Sequence, residues 1–188
     1  MLRRRLKYTG IALVSAVLLG AIFLGVQLYF GNFHETIEGE LYRSAQLEEG
    51  DLTRYVEKYK IASVINLRGE NIGSPWYDDE VREAKSLGIT HIDFRMKRSR
   101  ELTDGQAFAL IEAMRTAPKP LLIHCYSGAD RTGLAAALYL AAIAKRSEWS
   151  SERQLWLNYG HMPFGMGESV AMNRTFERLE SYLGFGDS

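Results

Sequence analysis

Apolar positions along the chain form one long run near the N-terminus and then several short runs. Residues 61–67 (IASVINL) and 120–124 (PLLIH) are short and rich in aliphatic side chains, which is typical of strands buried on both faces. Residues 40–43 and 90–96 are weaker strand candidates. The pattern therefore predicts a sheet whose two strongest strands are deeply buried.

Helical periodicity fills the intervals between these strands. Residues 103–116 place apolar side chains at the spacing of one helical face, at Ala107, Leu110, Ile111 and Met114. The other predicted helices cover residues 46–59, 77–87, 132–144, 148–159 and 169–183. Strands separated by helices predict an α/β domain with a mostly parallel sheet of four to five strands and helices on both faces. Functional residues in such folds collect at the carboxyl ends of the strands.

The long apolar run covers residues 11–30, none of which is charged. It is long enough to cross a bilayer, and it exceeds the roughly 7–15 apolar residues of a signal peptide. Four basic residues precede the run and none follows before Arg43, which predicts a single-pass anchor with residues 34–188 on the periplasmic side of a Gram-negative host. A cleaved signal peptide and a buried core helix are the alternatives. The expected organisation is a cytoplasmic basic segment, an anchor, a stalk and a folded domain, at residues 1–10, 11–30, 31–40 and 41–188.

Composition and charge narrow the possible functions of the folded part. With 46% hydrophobic and 24% charged residues, the chain has the composition of a globular protein. Residues 34–188 carry 19 basic and 23 acidic residues, and this net charge of −4 argues against a nucleic-acid partner. The single cysteine, Cys125, excludes an intramolecular disulfide and any multi-cysteine metal site. We therefore expect no cofactor and no metal, and Cys125 is either buried filler or a reagent.

Cys125 opens a short loop between a strong strand and a predicted helix. This segment reads HCYSGADRTG from His124 to Gly133. A loop that leads into a helix N-terminus directs successive backbone amides at an anion, and the same donors stabilise a cysteine thiolate. Six residues after Cys125, Arg131 can place two N–H donors on the oxygens of that anion. A thiolate facing a tetrahedral oxyanion is suited to phosphoryl transfer through a phosphocysteine.

The string His-Cys-x5-Arg-Thr resembles the signature of the cysteine-dependent protein tyrosine phosphatase superfamily. The fuller string HCYSGADRTG is similar to the bacterial dual-specificity-type branch, as are residues 31–46 (GNFHETIEGELYRSAQ) and 63–71 (SVINLRGEN). The likeness extends over about residues 31–185. It implies a dual-specificity-phosphatase-like fold that hydrolyses phosphotyrosine, phosphoserine or phosphothreonine. Phosphoinositides or inositol phosphates are the alternative substrates.

The resemblance also implies a role for each residue of the loop. Cys125 is the nucleophile, Arg131 clamps the phosphate, and Thr132 donates a hydrogen bond to the departing thiolate. The phosphate is cradled by the backbone amides of Tyr126, Ser127, Gly128, Ala129, Asp130 and Arg131. Gly128 and Gly133 are expected to let the backbone turn and approach the phosphate. His124 either acts indirectly through the hydrogen bonds of the loop or is an ordinary core histidine.

The general acid is the point at which this sequence departs from the family pattern. The family usually places an aspartate on a loop well before the cysteine, but residues 95–100 contain no carboxylate. Asp130 is the favoured candidate, because some bacterial phosphatases with a C-x4-D-R loop are thought to use that aspartate. Glu101 is the carboxylate nearest the expected loop position. Asp104 is the third candidate, although an acidic residue in the first turn of a helix also has a structural explanation.

The sequence leaves the role of two further features open. The segment 95–100 contains four basic residues, Arg95, Lys97, Arg98 and Arg100. These residues either steer a polyanionic substrate or form a solvated loop. Tyr159 and His161 either border the pocket or fill a loop. The sequence as a whole predicts a membrane-anchored phosphatase acting on a phosphorylated protein, small molecule or lipid headgroup. The alternative is a phosphate-binding interaction module in which the missing acid loop prevents turnover.

Overall fold

The computed structural model describes residues 2–162 and 169–186. In this part of the chain the strands form one sheet and are β1 (His34–Ile37), β2 (Leu41–Ser44), β3 (Ser63–Asn66), β4 (Thr90–Asp93) and β5 (Leu121–His124). Their order across the sheet is β1-β2-β5-β3-β4. β1 is antiparallel to β2, and all other pairs are parallel.

The helices follow the strands in the alternation that the sequence predicts. In chain order they are α1 (Leu2–Tyr29), α2 (Asp51–Tyr59), α3 (Pro75–Leu87), α4 (Asp104–Thr116), α5 (Asp130–Leu138), α6 (Glu148–Glu152) and α7 (Val170–Leu183). A π-helical turn (Tyr139–Ile143) continues α5, and two 3-10 turns (Arg153–Leu155 and Leu157–Tyr159) follow α6.

The sheet is buried on both faces, because alternate residues of its central strand pack into different clusters. Leu121 and Ile123 of β5 join a cluster with residues of α4, α5 and α7. Leu122, which points to the opposite face, joins a smaller cluster with residues of α2 and α3. Burial on both sides explains the continuous apolar runs of β3 and β5. The predicted α/β architecture with helices on both faces is therefore confirmed.

Parallel pairing brings the carboxyl ends of β2, β3 and β5 to one edge of the sheet. Ser44 and Asn66 lie opposite His124, one on each side. Cys125 therefore leaves the sheet in the middle of this edge, which is where open α/β sheets bind their ligands.

Several element boundaries differ from the sequence prediction. Residues 31–40, expected to form a stalk, contain β1, which pairs His34 with Arg43 and Glu35 with Tyr42. Two of the four residues of β1 are His and Glu, so this partly exposed edge strand lacks the apolar signal of the central strands. The helix expected at 148–159 ends at Glu152 and continues as the two 3-10 turns.

The apolar run at residues 11–30 lies mostly within α1. Large side chains of this helix are exposed, among them Leu19, Ile22 and Phe23. Within residues 2–162 and 169–186, no helix is both long enough and apolar enough to cross a membrane. The predicted transmembrane anchor is therefore not confirmed.

Candidate active site

The loop from Cys125 to Ala129 joins the end of β5 to the start of α5. Hydrogen bonds from both neighbouring strand ends hold this segment: the Leu67 amide donates to the His124 carbonyl (2.9 Å), and the Gln46 amide donates to the Tyr126 carbonyl (3.1 Å). Because α5 begins at Asp130, the unpaired amides of its first turn lie beside the loop. The loop therefore lies at the junction of a strand and a helix N-terminus, an arrangement that suits anion binding.

Two glycines allow the loop and α5 to pack closely against other backbone. Gly128 has φ +70°, and a Cβ there would lie 2.7 Å from the Ala45 nitrogen and 2.8 Å from the Ser44 carbonyl oxygen. A Cβ at Gly133 would lie 2.8 Å from the Gln154 carbonyl oxygen. Both close approaches are to the protein's own backbone, whereas the sequence suggested an approach to the phosphate.

A cavity of about 760 Å³ opens at the loop. Cys125, Asp130 and Arg131 line it together, with Tyr126 and Ser127 beside them. Much of the remaining wall is basic and consists of Arg68, Arg95, Lys97 and Arg98. The volume is typical of a small-molecule site, and the concentration of cations suits an anionic ligand.

Arg131 and Arg68 bring two guanidinium groups to this cavity. Arg131 Nη1 donates to the Met96 carbonyl at 3.4 Å, and its buried Nε has no partner among the described residues. Arg68 lies over the ring of Trp76, 3.8 Å from the ring centre. Burial lowers the pKa of Arg68, and the charge of Arg131 lowers it further. An anion bound between the two groups would relieve this repulsion.

Asp130 faces the cavity and is held from behind by a histidine. His161 Nδ1 lies 2.7 Å from Asp130 Oδ1, and His161 Nε2 lies 2.7 Å from Asn173 Oδ1. The His161 side chain is fully buried, so it does not border the pocket but fixes the carboxylate that does. Arg98 Nε lies 4.0 Å from the other oxygen of Asp130.

Glu101 and Asp104 lie away from Cys125. Glu101 lines a separate cavity of about 170 Å³ and lies 3.8 Å from Arg178 Nε and 4.0 Å from Arg174 Nη1. Asp104 is in the first turn of α4 and also pairs with Arg178. Both carboxylates therefore contact α7, and neither lines the cavity that contains Cys125. Of the three acid candidates, the structure brings Asp130 alone to that cavity.

Thr132 is buried beside the loop, and the basic residues of the segment 95–100 are divided between the two cavities. Thr132 is fully buried, and its hydroxyl has no hydrogen-bond partner among the described residues. It therefore retains a donor for a sulfur or phosphate oxygen close to the loop. Arg95, Lys97 and Arg98 line the main cavity, whereas Arg100 lines the smaller one with Glu101.

His124 contacts a buried carboxylate that sequence reasoning missed. Glu80 of α3 is 2% exposed, and its Oε1 lies 3.0 Å from His124 Nε2 and 2.8 Å from His91 Nε2. Burial raises the pKa of Glu80, but the contacts with the two histidines outweigh burial and lower it to about 2. The available signal was its spacing, since Glu80 falls on the same buried helical face as Tyr77 and Ala84.

Arg43 of β2 is a second residue that sequence reasoning missed. Its side chain is fully buried, and its Nη2 donates to the Gly128 carbonyl at 2.7 Å. The sequence offered little indication of this, because two of the four residues of β2 are polar and their burial is evident only in the structure. The pairing of β2 with β5 was needed to show that this charge lies under the loop.

Solved structures share this fold at low sequence identity. P. aeruginosa TpbA is 18% identical over 81% of this chain and 91% of its own, with a TM-score of 0.57. PTPMT1 is 12% identical over 81% of this chain and 98% of its own, with a TM-score of 0.59. The catalytic domain of the S. cerevisiae PP-IP phosphatase SIW14 is 19% identical over 81% of this chain and 93% of its own, with a TM-score of 0.56.

The sequence comparison gives the family directly. No curated protein matches the chain. Residues 29–148, more than half of the chain, match the sequence profile of the tyrosine phosphatase family. This range contains β1 to β5, the loop at Cys125 and Arg131. The chain therefore belongs to the tyrosine phosphatase family, the cysteine-dependent phosphomonoester hydrolases that its loop resembles.

Proposed function

We propose that this protein hydrolyses phosphomonoesters through a phosphocysteine intermediate on Cys125. The observation that carries the proposal is that Cys125, Asp130 and Arg131 line one cavity at the junction of β5 and α5. A thiolate, a carboxyl group and a guanidinium around one anion-binding loop are the nucleophile, acid and clamp that phosphoryl transfer requires.

The first step transfers the phosphoryl group to sulfur. The Cys125 thiolate attacks phosphorus, a P–S bond forms, and the bond from phosphorus to the leaving oxygen breaks. The proton of the Asp130 carboxylic acid moves to that oxygen, which departs as a neutral alcohol or phenol. Arg131 and the loop amides hold the three remaining oxygens as the phosphoryl group flattens.

The second step regenerates the enzyme. The Asp130 carboxylate takes a proton from water, the water oxygen attacks phosphorus, and the P–S bond breaks to release inorganic phosphate and the Cys125 thiolate. Thr132 donates a hydrogen bond to the departing sulfur, a role consistent with its buried and unpaired hydroxyl.

The primary substrate in this proposal is a phosphorylated protein residue, with phosphotyrosine first. Tyr126 lines the cavity and is 68% exposed, so its ring is available to pack against an aryl phosphate. TpbA has been solved in complex with phosphotyrosine, and the same fold therefore admits that substrate.

The second candidate substrate is a phosphoinositide or inositol phosphate. The observation that favours it is the basic wall of Arg68, Arg95, Lys97 and Arg98, which exceeds what one phosphate group needs. PTPMT1 has been solved with PI(5)P, and SIW14 is described as a PP-IP phosphatase. A Lys97→Gln/Arg98→Gln variant separates the candidates. It should lose kcat/KM for a headgroup substrate about tenfold and keep it for a phosphotyrosine peptide if both are turned over.

Hydrolysis of para-nitrophenyl phosphate by the full-length protein tests the proposed activity. We expect a vanadate-sensitive rate that the Cys125→Ser variant lacks. Tight binding of phosphate analogues without turnover by the wild-type protein would instead identify a phosphate-binding interaction module. A rate that survives Cys125→Ser would overturn the assignment of the nucleophile.

We also propose that α1 attaches the catalytic domain to a membrane, with the domain on the non-cytoplasmic side. The uncharged run at 11–30, the exposed apolar side chains of α1 and the preceding basic residues support this proposal. Membrane fractionation should recover the protein with lipid, and an alkaline phosphatase fused after Ser188 should be active. Recovery in the soluble fraction would refute attachment, and a fluorescent, phosphatase-inactive fusion would reverse the orientation.

A further inference from the structure

Arg43 is a cation enclosed by the protein directly under the catalytic loop. Its side chain is fully buried, and its guanidinium makes hydrogen bonds on two sides. Nη1 donates to the carbonyl and the side-chain oxygen of Gln154, at 3.1 and 2.8 Å. Nη2 donates to the carbonyls of Gly128 and Ala129, at 2.7 and 3.5 Å. The guanidinium also lies 3.9 Å from the ring centre of Tyr159.

All of these partners are neutral acceptors. Among the described residues no carboxylate forms an ion pair with Arg43, and none contributes to the environment that sets its ionisation. A buried charge without a counter-charge is costly, and buried cations in proteins are normally paired. Burial lowers the pKa of Arg43 to about 10, so the group remains positively charged at neutral pH. An anion that is present during catalysis is therefore the expected counter-charge.

Cys125, at the start of the same loop, supplies such an anion when its thiol is ionised. Burial lowers the pKa of Arg43, and negative charge on Tyr159 and on the Cys125 thiolate acts in the opposite direction. Coulombic attraction is mutual, so the Arg43 cation stabilises the Cys125 thiolate to the same extent. The phosphate dianion of a bound substrate would occupy the same neighbourhood.

We propose that Arg43 is a positioning residue that acts on catalysis through both its hydrogen bonds and its uncompensated charge. Its bonds to Gly128 and Ala129 hold two carbonyls of the loop toward the protein interior, away from the anion. Its charge stabilises the thiolate before substrate binds and the phosphate afterwards. This inference rests on the proposed role of Cys125 as the nucleophile.

Other charged and titratable groups also surround Cys125. The cavity wall contributes five cations, a tyrosine and one carboxylate, and β5 contributes the histidine next to Cys125. These groups are Arg68, Arg95, Lys97, Arg98, Arg131, Tyr126, Asp130 and His124. Apart from Asp130, which is buried, the groups on the cavity wall are reached by solvent, which screens their charges. Arg43 is shielded from solvent, so its charge should act on the thiolate with little screening, and the effect should not depend on salt.

Gln154→Glu tests the inference while Arg43 stays in place. The new carboxylate can accept the same 2.8 Å hydrogen bond but neutralises the charge of Arg43. Inactivation of the full-length protein by iodoacetamide, measured against pH, reports the thiolate. In Gln154→Glu we expect the inflection of the inactivation rate against pH to move upward by about one pH unit. We also expect inorganic phosphate to inhibit this variant about tenfold more weakly than the wild-type protein.

Matched variants separate charge from packing. Gln154→Met removes the side-chain hydrogen bond without adding charge and should leave the inflection in place. Gln106→Glu adds the same charge at the capping position of α4, where Glu forms an equivalent capping box, and should also leave it in place. Arg43→Lys keeps the charge and should keep the inflection, whereas Arg43→Met should raise it; circular dichroism confirms that each variant is folded.

An unchanged inflection in folded Gln154→Glu would overturn the inference, and so would an equal shift in Gln106→Glu. Failure of the proposed function looks different. In that case iodoacetamide would not abolish activity in the wild-type protein, or Cys125→Ser would remain active.

Discussion

Replacing Glu80 with glutamine should destabilise the fold by about 3 kcal/mol at neutral pH. Burial raises the pKa of Glu80, but the rings of His124 and His91, at 3.0 and 2.8 Å, lower it from 4.5 to about 2. Since each pKa unit corresponds to about 1.4 kcal/mol, the ionised carboxylate contributes about 3 kcal/mol.

The pH dependence of this effect follows from the depressed pKa of the folded state. The contribution of Glu80 is fully present above about pH 4.5 and is lost as the pH falls toward 2. Urea unfolding of the wild-type protein and of Glu80→Gln, measured between pH 7 and pH 3, should therefore show a stability difference that shrinks with acidification. Glu57→Gln removes the same charge from an exposed position of α2 and serves as the control. A difference below about 1 kcal/mol at pH 7, or one independent of pH, would refute this reasoning.

Three further substitutions test individual parts of the site. Arg131→Lys should lower kcat/KM for para-nitrophenyl phosphate by at least about 100-fold, because one ammonium cannot reproduce the two-pronged contact; near-wild-type kcat/KM would contradict the clamp. Asp130→Asn should slow hydrolysis of phosphotyrosine about 10²–10⁴-fold and activated aryl phosphates far less, whereas Glu101→Gln should not change the dependence on leaving-group pKa; the reverse result would make Glu101 the acid. Gly128→Ala should destabilise the protein by more than about 2 kcal/mol in urea unfolding, because its Cβ would meet the backbone of β2. Gly39→Ala is the control, because Gly39 also has a positive φ (+68°) but no atom lies within 4 Å of the added Cβ. An equal loss of stability in Gly39→Ala would show that backbone strain, not the contact with β2, causes the effect.

The central part of the fold could be predicted because its signals are local. β3 and β5 are apolar at nearly every position, and such strands must be covered on both faces. The loop at Cys125 was recognisable because its anion-binding geometry depends on consecutive residues between a strand and a helix. The edge strand β1 has no such local signal, because its residues are neither continuously apolar nor strictly alternating between apolar and polar.

The contacts of the site that the sequence did not show all join distant segments of the chain. Glu80 reaches His124 over 44 positions, Arg43 reaches Gly128 over 85, and His161 reaches Asp130 over 31. Each contact is between side chains or backbone atoms that only the tertiary arrangement brings together. A buried charge is visible in a sequence as an exception to the apolar pattern, but its partner is not.

Direct detection of phosphorylated Cys125 tests whether the protein hydrolyses its substrate through a phosphocysteine. The full-length protein is mixed with a phosphotyrosine peptide, quenched in acid within milliseconds and digested for mass spectrometry. We expect one phosphoryl group on the peptide that contains Cys125, a larger trapped fraction in Thr132→Ala, and neither adduct nor turnover in Cys125→Ser. Turnover without a trapped adduct in Thr132→Ala, or a phosphoryl group on a different residue, would contradict the account.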